Sequence, residues 1–343
     1  MEKILIVKTS SLGDIIQSFI VLDDLKRRFP GVLIDWAVEA PFAPIVAAHP
    51  LIHRAIPLDI KRKRHLWQGL KELRREKYEM IFDLQANCKS GIVTLLARGK
   101  IKVGYGFYSV REWPNLIATN KRFEVSRRQN IRLFYLELIE KALESSLLRE
   151  AEGVRFKIEE DEREKIGQIL NKLPGTPRIM VCPGSRWINK QLSRETWIQF
   201  LKKVEDFCGA RFLLVWGEEM EKIECNGIAP HLQRVLVLEK LPLPTWQNLM
   251  NEVDLVIAVD SSALHLAATT QTATFSIFGP TSPNIFKPIG EKHFYLQGAC
   301  PYGRTFEKQC PALRSCPTGA CIRHLTAESL FQVFQSRCGL LRL

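Results

Sequence analysis

No window of this 343-residue chain holds the roughly 18 consecutive apolar residues that a membrane-spanning helix needs, so integral helical membrane folds are excluded. Met1 to Val7 is too short, and too quickly followed by polar residues, to be a secretory signal, and the expectation is a cytoplasmic protein. A GxGxxG fingerprint is missing after the first apolar run, and a GxxxxGKS/T loop is missing altogether. Gly104-Tyr105-Gly106 lacks the third glycine and reads as a turn. Hydride transfer from a dinucleotide and P-loop phosphoryl transfer are therefore unsupported. No DxD pair of carboxylates stands in a plausible loop, so no catalytic metal is expected. Low-complexity tracts are absent too.

What is present fits two soluble domains. Hydrophobic residues make up 46% and charged residues 25%, which removes disordered and fibrous classes. Forty-nine Lys and Arg against 37 Asp and Glu give a formal charge of +12, which implies an anionic partner without identifying it. Lys61-Arg62-Lys63-Arg64, Arg74-Arg75, Lys121-Arg122 and Arg127-Arg128 all lie in the first half. Any one run reads as a solvated face, but several in one half favour a common basic wall. Without a secretory signal, the nine cysteines argue against a disulfide scaffold. Cys300, Cys310, Cys316 and Cys321 crowd into one Pro- and Gly-rich segment at spacings looser than a zinc ribbon, and read as a structural thiol cluster.

The chain is organised around Lys8-Thr9-Ser10-Ser11-Leu12-Gly13-Asp14. Ile4 to Val7 is a continuous apolar run of the kind used by a strand covered on both faces. Ile15, Ile16, Phe19, Ile20, Leu22 and Leu25 then recur at helical spacing, so the polar residues between sit in a strand-to-helix loop. Such loops form the carboxyl edge of a parallel sheet, where ligands bind. Asp14 falls at the helix start, either as a cap or as a general base shown to a cleft.

Strands are predicted at 32–39, 55–58, 80–84 and 101–104, alternating with helices at 66–77 and 129–143. A charged stretch from 147 to 162 marks a boundary, and a second alternation of strands and helices runs from 178 to 278. The fold class is α/β, with two Rossmann-like, doubly wound parallel sheets facing a cleft. Domains are expected at 1–155 and 156–325, with a final helix at 326–343 packing back on the first domain.

Two further loops carry chemistry. Pro183-Gly184-Ser185-Arg186-Trp187-Ile188-Asn189-Lys190 leaves a strand with a glycine, a hydroxyl and cations, a set able to wrap a diphosphate. Asp260-Ser261-Ser262-Ala263-Leu264-His265 follows a very apolar strand and opens a helix whose free N–H groups suit an anion. By themselves, Asp260 reads as an N-cap and His265 as a packed histidine.

KILIVKTSSLGDIIQSF, PGSRWINK, VDSSALHLAA and FGPTSP, in this order, resemble glycosyltransferase family nine, the ADP-heptose:lipopolysaccharide heptosyltransferases. The resemblance implies a GT-B architecture and an inverting transfer of L-glycero-D-manno-heptose from ADP-heptose to a Kdo inner core, with Asp14 as general base. It implies donor contacts at Ser185, Lys190, Asp260, Ser261, Ser262, His265 and Thr281, while Trp216-Gly217-Glu218-Glu219 ends another strand on the same edge and offers Glu218 or Glu219 to the adenosine. Ser262 stands where the family usually has glycine. Acceptor contacts are expected at Lys61, Arg62 and Arg64, and further at Ser10, Ser11, Gln85 and Lys89. The donor is a substrate and no resident cofactor is expected. The implied partners are ADP-heptose, a Kdo-lipid A type acceptor and an anionic inner-membrane surface on its cytoplasmic face. Transfer of another sugar, or onto a heptosylated acceptor, is the alternative. A nucleic-acid binder rests on charge alone, with His65-Leu66-Trp67 as a thin basis.

Overall fold

The computed structural model describes residues 1–59, 66–145 and 153–341. The chain divides into two compact units, Met1–Lys157 and Ile158–Leu343.

The first unit holds a six-stranded, all-parallel sheet: β1 (Lys3–Val7), β2 (Leu33–Glu39), β3 (Arg54–Leu58), β4 (Lys77–Asp83), β5 (Arg98–Tyr105) and β6 (Lys121–Phe123). Their spatial order is β3-β2-β1-β4-β5-β6. Ile4 to Val7 are fully buried, as strands flanked by helices on both faces require. Gly104 belongs to β5 rather than to a turn. A Cβ there would stand 2.6 Å from Thr119 Cγ2, so only glycine fits. The first helical pattern is two helices, Leu12–Ser18 and Ile20–Arg28, separated at Phe19.

The second unit repeats the plan with β7 (Arg178–Cys182), β8 (Arg211–Leu214), β9 (Val235–Val237), β10 (Leu255–Val259), β11 (Ala273–Phe278) and β12 (His293–Gln297). The order is β12-β11-β10-β7-β8-β9, again all parallel. Counted from its own first strand, each sheet therefore runs 3-2-1-4-5-6. Its topological switch point lies between β1 and β4 in one unit and between β7 and β10 in the other.

Helix Ala327–Leu341 belongs to the second unit. It packs against helix Arg194–Cys208 and β12, and buries Leu330 and Phe334 in the core of the second unit. Phe334 meets Phe200 edge-on at 6.1 Å.

Candidate active site

At the first switch point, β1 ends at Val7 beside the last residue of β4, Asp83. Two loops therefore leave side by side, one carrying Ser10, Ser11 and Asp14 and the other carrying Gln85 and Lys89. Leu84 N–H bonds Val7 O at 3.0 Å, and Ser10 N–H bonds Gln85 Oε1 at 3.2 Å. Asp14 lies in the first turn of helix Leu12–Ser18, where acidic groups suit the helix dipole. Its Oδ2 accepts from Ser11 Oγ at 2.8 Å and Ser11 N–H at 3.2 Å, and the side chain is half-buried. Asp14 is thus the third helical residue of a capping box whose N-cap is Ser11. Lys89 is exposed and Gln85 buried. Lys61, Arg62 and Arg64 lie outside the described residues.

Three groups escaped the sequence reading. Asp83 is fully buried and accepts from Asn115 Nδ2 at 2.7 Å, Ser90 Oγ at 2.9 Å, Thr94 Oγ1 at 3.2 Å, and the amides of Gln85 and Ala86 at 3.0 and 2.9 Å. Burial raises its pKa above the ordinary carboxylate value against the pull of those bonds. A charge ending an otherwise apolar strand was the available signal. Lys8 is buried with its ammonium 5.0 Å from the Tyr135 ring centroid. The Tyr135 phenol is raised well above its usual pKa, by burial first and then by the Asp14 carboxylate. A tyrosine in an amphipathic helix gives no warning of this.

At the second switch point, Cys182 of β7 pairs with Ala258 of β10, so the loops 183–190 and 260–262 also leave together. Asp260 is buried but is not a helix cap, since Ser261 holds that place. Its Oδ2 receives Lys190 Nζ at 2.6 Å and Thr281 Oγ1 at 2.6 Å, while His265 Nε2 stands 3.7 Å from Oδ1. Burial pushes the Asp260 carboxyl up, but Lys190 and His265 outweigh it and hold the pKa below the ordinary value. Ser261 Oγ is buried without a partner among the described residues, an arrangement that a ligand's acceptor would relieve. Ser185 is buried and its carbonyl receives Gln191 Nε2 at 2.5 Å. Ser262 opens helix Ser262–Ala267, and Glu218 is an exposed residue at the start of helix Glu219–Ile228.

The loop 183–190 approaches that last helix closely. A Cβ on Gly184 would lie 2.2 Å from the Glu221 carboxyl carbon, while Glu221 Oε2 receives Gly217 N–H at 2.7 Å. The Cys-rich segment braces the 183–190 loop and the loop after β11. Asn189 Nδ2 bonds Leu313 O at 2.6 Å and Cys316 O at 3.1 Å, and Cys310 N–H bonds Pro280 O at 2.7 Å. Cys300, Cys310, Cys316 and Cys321 are free thiols. Burial, then the other three thiols, push Cys321 to a pKa of about 11, so the four stand near one another.

The sequence profile of glycosyltransferase family 9 (heptosyltransferase) matches residues 66–315. The chain is similar to lipopolysaccharide heptosyltransferase 1 of Pseudomonas aeruginosa, with 30% identity over 318 residues covering 90% of this chain and 87% of that protein. It is similar to lipopolysaccharide heptosyltransferase 1 of Escherichia coli, with 29% identity over 303 residues covering 84% and 91% of the two chains. In fold it is similar to E. coli heptosyltransferase WaaC with ADP-2-deoxy-2-fluoro heptose, with a TM-score of 0.76, 24% identity, and 98% and 99% of the two chains covered.

Proposed function

The chain belongs to glycosyltransferase family 9, and from that premise we propose that it transfers L-glycero-D-manno-heptose from ADP-heptose to the Kdo inner core of lipopolysaccharide. Both relatives described above carry the name heptosyltransferase 1, which supports the first heptose addition over a later one. The observation that carries the reading is the pairing of Lys190 with Asp260 beside the unpartnered Ser261 hydroxyl, at a switch point. It offers a cation and a free donor to a diphosphate.

The reaction has one bond forming and one breaking. An acceptor hydroxyl oxygen attacks the anomeric carbon from the face opposite ADP while the bond from that carbon to the diphosphate oxygen opens, so configuration inverts. Asp14 takes the hydroxyl proton. The electron pair leaves on the β-phosphate, where Lys190 swings part of its charge from Asp260 to the departing oxygens, with Ser185 and Ser261 donating hydrogen bonds. Ser262, His265 and Thr281 complete this wall, and Glu218 takes the adenosine side. Ser10, Ser11, Gln85 and Lys89, with Lys61, Arg62 and Arg64, receive the anionic acceptor.

No helix among the described residues is long and apolar enough to cross a membrane. A lipid-borne acceptor then places the work at the anionic cytoplasmic face of the inner membrane, to which a +12 chain is attracted. The test is mass spectrometry of a defined Kdo acceptor incubated with ADP-heptose, ADP-glucose or UDP-sugars. The reading expects one added heptose and released ADP from the first donor alone. An unchanged acceptor mass with ADP-heptose contradicts it.

A further inference from the structure

Helix Cys88–Leu96 is apolar on two faces, which a surface helix with one buried face does not need. Its Val93 is buried towards the sheet, yet Ile92 and Leu95 point into solvent. The adjoining segment repeats the anomaly. Helix Trp113–Ala118 packs against it through Asn115 and Ala118, which lie 3.2 and 3.5 Å from where a Gly91 Cβ would stand. Trp113 and Ile117 nonetheless remain 68% and 73% exposed. On the loop between β5 and that helix, Phe107 and Tyr108 meet edge-on at 5.5 Å, with Tyr108 82% exposed. Exposed apolar side chains on adjoining segments in this density mark an interaction site.

The surrounding charge selects the occupant. Residues 86–130 contain nine Lys and Arg and only two carboxylates. Both carboxylates are engaged: Glu112 accepts Cys88 N–H at 2.8 Å, and Glu124 accepts Ser109 Oγ at 3.0 Å. Lys100, Arg111, Lys121 and Arg128, on the same stretch of chain, are exposed. Exposed aromatic and aliphatic side chains interspersed with exposed cations match the headgroup region of an anionic bilayer, where Trp and Tyr settle and Lys and Arg meet lipid phosphate. The face is braced rather than loose, with Gly106 N–H to Phe123 O at 2.8 Å and Val110 N–H to Gly106 O at 2.8 Å. It also continues into the acceptor loop, because Glu112 N–H bonds Ala86 O at 3.0 Å, next to Gln85.

We propose that Ile92, Leu95, Phe107, Tyr108, Trp113 and Ile117 form an insertion face that seats the first unit in an anionic lipid bilayer. This rests on the membrane-surface part of the reading above. It assigns specific side chains to that contact and puts the acceptor loop at the lipid surface.

The full chain is sedimented with vesicles of phosphatidylcholine alone and of phosphatidylcholine mixed with phosphatidylglycerol. It is compared with the triple variant Phe107→Ser, Trp113→Ser, Ile117→Ser, whose positions are exposed and whose fold is checked by circular dichroism. Wild type is expected to sediment with the anionic vesicles only, and the variant to lose roughly tenfold or more of that partition. Lipids with brominated acyl chains should quench wild-type tryptophan fluorescence, and the quenching should be absent in Trp113→Phe. Equal partition of wild type and triple variant, or no partition of wild type, overturns the proposal. So does a wild-type dimer in solution that the triple substitution converts to monomer, since a second copy is then the occupant. Turnover on a water-soluble Kdo acceptor without acyl chains separates the two readings. The variant should retain wild-type turnover there, whereas failure of both proteins refutes the transfer reaction and leaves the vesicle result standing.

Discussion

Replacing Lys190 with Met removes the cation from a buried carboxylate, and the structure sets the size of the effect. With Nζ 2.6 Å from Asp260 Oδ2, the Coulomb attraction is about 6 kcal/mol at an effective dielectric constant of about 20. Part of this offsets the desolvation of both groups, so the expected loss on breaking the pair is about 3–5 kcal/mol at neutral pH. Wild-type Asp260 has a depressed folded pKa. Its contribution is therefore present above the ordinary carboxylate pKa and is lost as pH falls through the depressed value. In Lys190→Met, burial dominates and the carboxyl takes a proton at higher pH, so the gap between the two proteins narrows on acidification. Urea unfolding followed by tryptophan fluorescence reads this in the second unit, where Trp197, Trp216 and Trp246 are buried. The double variant Lys190→Met, Asp260→Asn should recover about 2 kcal/mol or more of the single variant's loss. Turnover should fall about 10²–10³-fold as the leaving diphosphate loses its cation. A Lys190→Met protein within about 0.5 kcal/mol of wild type, or a double variant no better than the single, refutes the reasoning.

His49, buried between the rings of Phe19 and Phe156, has its pKa lowered from 6.5 to about 3, by burial first and then by Lys157. The unfolded chain takes a proton there that the fold refuses, so stability should fall by about 1.4 kcal/mol per pH unit below the unfolded pKa. Urea midpoints between neutral and mildly acid pH should show that slope weakened in His49→Phe. Asp83→Ala strands five donors in the first switch-point loop and should cost about 3–5 kcal/mol of stability, measured by the same unfolding assay. Ser261→Ala removes a buried hydroxyl with no partner among the described residues. Its melting temperature should hold or rise, while KM for the nucleotide sugar rises roughly tenfold.

The four site loops were legible because buried parallel strands write their own ends. Ile4 to Val7 and Leu255 to Val259 are unbroken apolar runs, so the small polar residues after them had to lie at a carboxyl edge. What covers a surface is harder to read. The final helix shows an apolar side but not what it meets, and its Leu330 and Phe334 lie in the Phe200 and Phe275 core. The edge strands Lys121–Phe123 and His293–Gln297 were missed because a short edge strand buries too little to impose a pattern. Lys190 and Asp260 could be singled out separately. Their contact spans 70 residues of sequence and follows only from β7 lying beside β10. Tyr135 was invisible for the same reason, since Lys8 and Asp14 reach it from the other end of the first unit's sequence.

The account turns on Asp14 as the group that takes the acceptor proton. Asp14→Asn keeps an oxygen for the Ser11 hydroxyl and amide, so the helix start should remain capped. Single-turnover transfer from ADP-heptose should slow by about 10²–10⁴-fold, with the nucleotide sugar bound as in wild type. An Asn variant that transfers heptose at the wild-type rate contradicts the account.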